Sequence, residues 1–186
     1  MATTISSPSS VFPTTNNAFR AFGLDGVTTG LFNQSSADTV YSGFTSLSIP
    51  SGATINGIEV IVHASSNSTL LRVVLNDGTS YSSLRATNGL PGKTLATVDP
   101  CWGSSSDLWG LSWTPATAAA LILRFDWSTL TSGKVIKFDH IQVRVTFTAA
   151  ASTTVHSVNN VAEANIASIK GVAHASIGEV NTVTFD

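Results

Sequence analysis

The chain has 186 residues, of which 42% are hydrophobic and only 11% are charged, and its formal net charge at pH 7 is -2. The hydrophobic fraction suits one domain of ordinary size with an appendage and argues against wholesale disorder. The small charge, without a basic cluster, argues against a nucleic-acid partner. Ser and Thr, about a quarter of the chain, replace the charged residues that a soluble domain ordinarily carries.

Cysteine usage and the N-terminal sequence bear on the compartment. The single cysteine, Cys101, excludes an internal disulfide, and we interpret it as a small buried or semi-buried hydrophobe in preference to a thiol nucleophile. The first basic residue is Arg20, and no apolar run approaches the length of a bilayer span. The sequence therefore predicts a chain without a signal peptide or a membrane segment, synthesised in the cytoplasm.

The N-terminal region shows no helical pattern. Residues 1–17 are rich in Ser, Thr, Pro and Asn with scattered apolar residues, which is typical of an extended arm or a first edge strand. We assign residues 1–38 to this arm and first strand region and residues 39–148 to a β-sandwich.

Short strands and turns dominate the body of the chain. Residues 54–64 alternate in polarity, with Glu59 and His63 on the polar face. The apolar face of this segment consists of Ile58, Val60 and Val62. Residues 70–75 form a second apolar run, and the Asn-Asp-Gly sequence that begins at Asn76 predicts a hairpin turn after it.

Two more strands and one helical turn complete the body. Residues 121–127 and 134–148 predict strands. The second has inward positions at Ile141, Val143, Val145 and Phe147. Thr114 is a good N-cap and Pro115 suits the first helical position, so we expect a single helical turn at residues 114–119. Without alternating long helices, the pattern predicts an all-β fold, an antiparallel β-sandwich of jelly-roll type.

The last part of the chain repeats itself. Units of about 11 residues occupy residues 155–165, 166–176 and 177–186, after a small-residue joint at 149–151. Their corresponding apolar positions are Val155, Val158, Val161, Ile166, Ile169, Val172, Ile177, Val180 and Val183. A unit this short cannot bury its own apolar face, so it must stack on itself, on the body or on another copy. We predict that residues 149–186 form a repeat tail of short helical or strand pieces separated by turns, and that these apolar residues serve assembly.

No catalytic or metal-binding constellation is favoured by the sequence. Asp139 and His140 are adjacent on a predicted strand, where alternation points them to opposite faces, and there is no Gly-x-Ser-x-Gly elbow. We interpret His140 as structural. The 4 histidines lack zinc-site spacing, the aspartates form no calcium loop, and no glycine-rich loop suits phosphate. We predict no enzymatic activity, no cofactor and no metal.

A tryptophan-rich loop is the sequence feature that most specifically indicates a binding site or a structural loop. Trp102, Trp109 and Trp113 lie close together, separated by Gly and Ser residues. Exposed indole faces would stack on sugar rings, whereas buried ones would close one end of the fold, and we favour burial. Asp107 in the same loop is expected to accept backbone N–H bonds. These four residues are the candidates for a glycan contact or a structural loop.

Three segments carry a resemblance when they are taken in order. They are residues 48–60 with Pro50 and Gly52, residues 106–115 with the tryptophan-rich loop, and residues 138–145 of the last strand. Together they resemble a β-sandwich module of virion proteins of tailed bacteriophages. The tail unit at residues 166–173 resembles short repeats appended to phage tail and fibre proteins. Residues 117–123 depart from the usual Asn-containing strand entry of the module, so this loop is expected to differ.

The resemblance and the composition imply a non-enzymatic bacteriophage virion structural protein. The leading hypothesis is an exterior capsid decoration or cement protein that binds and stabilises neighbouring capsid or tail subunits. The sandwich would be its body, and the arm and tail would be its fasteners. We expect a homo-oligomer, with a trimer as the natural closed arrangement, on the virion exterior after synthesis in the host cytoplasm.

Two other functional classes are alternatives. A tail-fibre or receptor-binding component would present the tryptophan-rich loop and the Ser/Thr-rich surface to a host surface glycan. A secreted carbohydrate-active enzyme or binding module is the third class, and an enzyme of that kind needs a pair of suitably spaced carboxylates. The glutamates are Glu59, Glu163 and Glu179, of which two lie in the tail, so the third class is the least favoured.

Overall fold

The computed structural model describes most of residues 1–150 and four short strands after them. The described residues are 1–29, 32–33, 36–68, 71–86, 90 and 92–150, together with 157–158, 161–162, 168–169 and 172–173. They belong to two compact units, Met1–Ala150 and Ala151–Asp186.

The Met1–Ala150 unit consists of two antiparallel sheets. Its strands are β1 (Ala2–Ser6), β2 (Ser10–Phe12), β3 (Thr39–Ser42), β4 (Thr54–Ser66), β5 (Arg72–Asn76), β6 (Arg85–Ala86), β7 (Ala96–Gly103), β8 (Ile122–Asp126) and β9 (Ile136–Thr148). The four-stranded sheet has the order β1-β9-β4-β7, and the five-stranded sheet has the order β2-β3-β8-β5-β6. Helix in the described residues is confined to α1 (Pro115–Ala119) and the 3₁₀ helices Thr15–Ala21 and Trp127–Thr129. The all-β prediction is confirmed.

The N-terminal segment contributes a strand to each sheet. β1 pairs along β9 over its whole length, and β2 pairs along β3. Both are edge strands, since each has a hydrogen-bonded neighbour on one side. The chain therefore passes from the edge of one sheet to the edge of the other within its first 12 residues.

β4 and β9 form the longest pair of strands in the unit. Each has 13 residues, and they lie side by side in the middle of the four-stranded sheet. Two register shifts interrupt their pairing, one beside Gly57 and one beside His63. Such β-bulges insert an unpaired residue and re-aim the side chains around it.

The turn after β5 follows its sequence prediction. Asn76 forms an isolated bridge with Tyr81, which closes the turn. The Asn76 side-chain oxygen accepts the N–H of Gly78 at 2.7 Å, and Asp77 Oδ1 accepts the N–H of Ser80 at 2.7 Å. Gly78 has a φ of +93°, a conformation that glycine adopts at little cost.

The short helix α1 also follows its sequence prediction. Thr114 Oγ1 accepts the N–H of Thr117 at 3.1 Å, and Thr117 Oγ1 accepts the N–H of Thr114 at 2.9 Å. This reciprocal capping box, with Pro115 at the start of the helix, satisfies N–H groups that the first turn leaves free. Ala118 is the buried residue of the helix.

Side chains of both sheets join one hydrophobic core. Phe125 of β8 is fully buried, and its ring centroid lies 5.8 Å from that of Trp102 on β7 and 5.0 Å from that of Phe138 on β9. Trp127 stacks on Phe32 with a centroid distance of 4.3 Å and an interplanar angle of 2°. The residues predicted to face inward on β9 are buried, namely Ile141, Val143, Val145 and Phe147.

The described residues of the Ala151–Asp186 unit form two hairpins. Their strands are β10 (Ser157–Val158), β11 (Val161–Ala162), β12 (Ser168–Ile169) and β13 (Val172–Ala173). β10 pairs with β11 and β12 pairs with β13, both antiparallel. Ser157 and Ser168 begin the two hairpins and are 11 positions apart, which is the length of the sequence unit.

Phe125→Ala should destabilise the Met1–Ala150 unit strongly. Phe125 is the aromatic residue of the five-stranded sheet that contacts two strands of the other sheet, so its removal leaves a cavity where the two sheets meet. We expect the free energy of unfolding, measured by urea denaturation, to fall by about 3–5 kcal/mol.

Phe12→Ala is the matched control, because it deletes the same atoms from a side chain that is 75% exposed. It should change the free energy of unfolding by less than about 0.5 kcal/mol. Similar losses in both variants would contradict the central place of Phe125 in the core.

Candidate functional site

The tryptophan-rich loop is fixed to the beginning of β4. The carbonyl of Asp107 accepts the N–H of Ile58 at 2.9 Å, and Trp109 Nε1 donates to the carbonyl of Ile58 at 2.8 Å. A Cβ atom at Gly57 would lie 2.3 Å from the carbonyl carbon of Ser105, so the loop approaches β4 where β4 has no side chain. The loop is therefore part of the folded body.

Arg85 of β6 covers this loop. Its guanidinium forms two charge-assisted hydrogen bonds with the Asp107 carboxylate, one of them 2.7 Å long. Its Cζ lies 4.5 Å from the centroid of the Trp109 ring, which is the geometry of a cation–π contact. Asp107 Oδ1 also accepts the N–H of Trp109 at 2.8 Å, so one carboxylate joins the arginine to the loop backbone.

The four candidate residues of the loop region differ in exposure. Trp109 is fully buried and Trp102 is 4% exposed, so their indole faces contribute to the core. Asp107 is partly exposed, and its carboxylate forms an ion pair with Arg85. Trp113 is half-buried and donates its Nε1 hydrogen to the carbonyl of Leu108 at 2.9 Å. Of the three tryptophans, Trp113 alone keeps substantial surface for a sugar ring.

Arg85→Gln should loosen the loop. The substitution removes the ion pair with Asp107 and the cation–π contact with Trp109. We expect the free energy of unfolding to fall by about 1–2 kcal/mol, since both contacts are partly exposed to solvent. Arg72→Gln on β5 is the control, because Arg72 is exposed and forms no ion pair within the described residues. An equal effect of the two changes would show that the Arg85 contacts add nothing.

A polar cluster surrounds the β-bulge beside His63. His63 on β4 pairs with His140 on β9, and the next pair is Ala64 with Phe138, so Asp139 is the extra residue of the bulge. Asp139 Oδ2 lies 3.8 Å from Nε2 of His63. The bulge thus brings Asp139 and His140 to one site on the four-stranded sheet, an arrangement that strict alternation did not predict.

The two histidines of the cluster are anchored by hydroxyl groups. Nδ1 of His63 is 2.7 Å from Oγ1 of Thr97, and Nε2 of His140 is 2.7 Å from Oγ of Ser7. Asp139 is 1% exposed, and within the described part of the chain neither of its carboxylate oxygens accepts a hydrogen bond. Because 3.8 Å is longer than a hydrogen bond, His63 and Asp139 do not form the linked pair of a catalytic triad.

The cluster makes stability depend on pH through His140. Burial lowers the pKa of the His140 imidazole below its ordinary value of 6.5, and the charge of His63 acts in the same direction, whereas Asp139 opposes them. The unfolded chain therefore takes up this proton at a higher pH than the folded chain does. Stability from the neutral imidazole is complete above the unfolded value and is lost as the pH falls below it.

His140→Gln should flatten this dependence. We expect the melting temperature of the unsubstituted protein to fall more steeply from pH 7 to pH 5 than that of His140→Gln, because glutamine retains a polar group near Ser7 but does not titrate. His156→Gln, in the Ala151–Asp186 unit, is the control and should keep the original slope. Parallel curves for His140→Gln and the unsubstituted protein would exclude this role for His140.

The predicted assembly residues divide between the hairpins and the rest of the tail. Those within the described strands are Val158, Val161, Ile169 and Val172, which pair as Val158 with Val161 and Ile169 with Val172. Val155, Ile166, Ile177, Val180 and Val183 lie outside the described residues. The two pairs occupy equivalent positions in successive sequence units.

Sequence reasoning missed a set of exposed apolar side chains in the N-terminal segment. Six large apolar residues among the first 27 are exposed, namely Met1, Ile5, Phe12, Phe19, Leu24 and Val27. The same stretch carries two charged side chains, Arg20 and Asp25. No helix or strand period links these apolar residues, so the sequence pattern did not reveal that they share the outside of the molecule.

Among the described residues, no group of three or more His, Cys, Asp or Glu side chains is arranged to hold a metal ion. None of the helices in the described ranges has the length and apolar character needed to cross a bilayer. The chain matches no protein-family model, no curated protein and no solved structure.

Proposed function

We propose that this chain is a non-enzymatic structural protein of a tailed-bacteriophage virion, an exterior capsid decoration or cement protein that binds neighbouring subunits. The observation that carries the proposal is the Ala151–Asp186 unit, with its two hairpins at the 11-residue spacing of the sequence repeat. The placement in a virion is supported by the resemblance of three body segments and of the tail unit to phage proteins.

The hairpins need a further surface in order to be stable. Each has two residue pairs, and a two-stranded hairpin is at best marginally stable alone in water. Apolar residues recur in every unit, so burial against a neighbouring unit or molecule is the available source of stability. A closed homo-oligomer, which we propose to be a trimer, would supply equivalent surfaces from identical chains.

The exposed apolar surface of the N-terminal segment supports a second contact. β1 is hydrogen-bonded along β9 on one side, so it is an edge strand of the body and not a free arm. The side chains that remain available include Phe12 at 75% and Leu24 at 63% exposure. A contact there and another through the tail would together hold the protein on a particle with avidity.

For the body we propose a β-sandwich of jelly-roll type. Its support is the packing of Phe125, on the five-stranded sheet, against Trp102 and Phe138 of the four-stranded sheet. Two sheets that share one core in this way are the usual arrangement of sandwich folds. A rigid body of this kind would present the apolar N-terminal side chains in a fixed geometry.

A tail-fibre or receptor-binding component is the second candidate. The half-buried indole of Trp113 favours it, since an exposed aromatic face is suited to stacking on a sugar. The burial of Trp102 and Trp109 leaves less aromatic surface for this purpose than the sequence implied. Saturable binding on a glycan array that Trp113→Ala abolishes, without loss of melting temperature, would move the proposal to this function.

Ile169→Asp should weaken assembly while the body keeps its stability. It places a charge in one of the repeated apolar positions, and such a charge is costly to bury. We expect the dissociation constant of the oligomer, measured by analytical ultracentrifugation, to rise at least about tenfold. Ser168→Asp adds the same charge at the neighbouring strand position and should have a smaller effect. An equal fall in the melting temperature of the body would assign the repeats to the core instead.

The location on the particle tests the proposed function directly. The chain would be labelled and intact virions imaged by electron microscopy. Many labels over the head would support a decoration protein, and labels confined to the tail would support the receptor-binding candidate. Virions without any copy of the chain would overturn the structural role.

A further inference from the structure

A cavity of about 240 Å³ lies at the end of the β4–β9 ladder, away from the tryptophan-rich loop. It is lined by Ser65, Ser66, Asn67, Lys93, Val135 and Lys137. Ser65 and Lys137 are partners in the strand register, so they face each other across the ladder. Lys93 comes from the segment that leads into β7.

The walls of this cavity are tied together by hydrogen bonds. Asn67 Oδ1 accepts the N–H of Val135 at 2.6 Å, and Asn67 Nδ2 donates to the carbonyl of Gly133 at 3.1 Å. The N–H of Ser66 donates to the carbonyl of Gly92 at 2.8 Å, which fixes the segment that carries Lys93. The backbone of the cavity walls is therefore held in place without a ligand, which reduces the entropy lost on binding.

The charged side chains of the cavity are lysines. Within the described part of the chain, Lys93 and Lys137 form no ion pair and the hydroxyl of Ser65 forms no side-chain hydrogen bond, although the Ser65 backbone pairs with Lys137. No carboxylate is among the described residues that line the cavity, and Asp139, two positions after Lys137, is 1% exposed. Two ammonium groups and one hydroxyl thus border a space with no negative charge of its own.

We propose that this cavity binds a small oxyanion, a phosphate, sulfate or carboxylate group, through Lys93, Lys137 and Ser65. Ammonium groups form charge-assisted hydrogen bonds with oxyanions, and these are stronger than bonds between neutral groups. The volume of about 240 Å³ lies below the usual range for organic ligands, so it suits one charged group and its immediate attachment. Two lysines in one cavity do not make the extended basic track that a nucleic-acid backbone requires.

The oxyanion could reach the cavity as a free ion or as the charged group of an acidic saccharide. Both sources present the same chemistry to the lysines, and they differ in whether a sugar ring contributes to affinity. All the lining residues belong to the Met1–Ala150 unit and none is among the exposed apolar residues at positions 1–27, so the site does not depend on the proposed structural role.

The test is an NMR titration of the full chain with sodium phosphate, at an ionic strength held constant with sodium chloride. We expect saturable shifts of the backbone amides of Ser65 and Asn67. Lys93→Gln and Lys137→Gln should each raise the dissociation constant at least about tenfold, because each removes a charge-assisted hydrogen bond. Melting temperatures should stay unchanged, since neither lysine is paired within the described residues.

Lys134→Gln is the matched control. Lys134 lies close by in sequence and carries the same charge but does not line the cavity. Its substitution should change the dissociation constant less than twofold if binding is local. An equal loss in all three variants would show general electrostatic attraction and would overturn the site, as would the absence of shifts at Ser65 and Asn67.

A second titration distinguishes the source of the anion. A uronic-acid disaccharide and its neutral counterpart replace phosphate as probes. Tighter binding of the acidic disaccharide than of phosphate, with the same dependence on Lys93 and Lys137, would identify a saccharide ligand. Tighter binding of phosphate would identify a site for the free ion, and binding of the neutral disaccharide with equal strength would overturn the oxyanion assignment.

Discussion

The antiparallel pairing of β4 with β9 runs past three polar features of the Met1–Ala150 unit, namely the tryptophan-rich loop, the histidine cluster and the lysine-lined cavity. The tryptophan-rich loop is hydrogen-bonded to one end of β4 at Ile58, and the lysine-lined cavity lies at the other end beside Ser65. The histidine cluster lies between them, at the bulge beside His63. Because side chains alternate along a strand, a shift of one residue in this pairing would move core residues outward and would separate His63 from Asp139 and Ser65 from Lys137.

Charge is used in two ways in this unit. Arg85, Arg124 and Arg144 each lie within ion-pair distance of a carboxylate, so their charges are paired within the fold. Arg144, between Glu59 and Asp99, joins β9 with two other strands of its sheet. Lys93 and Lys137 have no such partner among the described residues. Within the described ranges, Lys93 and Lys137 thus place two positive charges without a carboxylate partner near one end of the four-stranded sheet.

The features that the sequence predicts well are those set by neighbouring residues. Thr114 and Pro115 start a helix through contacts within four residues, and the turn at Asn76 closes through its own side chains. The cavity could not be predicted in this way, because its lining comes from three separate stretches of the chain. The bulge at Asp139 could not be predicted for a related reason, since a bulge depends on the partner strand as well as on the strand that contains it.

The sequence repeat of the Ala151–Asp186 unit corresponds to a repeat in its described strands, and we propose that a partner surface stabilises them. The 11-residue period is visible in the sequence and returns as the spacing of the described hairpin strands. Within the described residues, each hairpin has two residue pairs. So few pairs do not offset the conformational entropy that is lost when the chain is ordered. If a partner surface completes the burial, part of the interaction energy goes into that ordering and each contact is weaker than its area implies. Repeated units would compensate for this, since several weak contacts on one chain combine into stronger attachment.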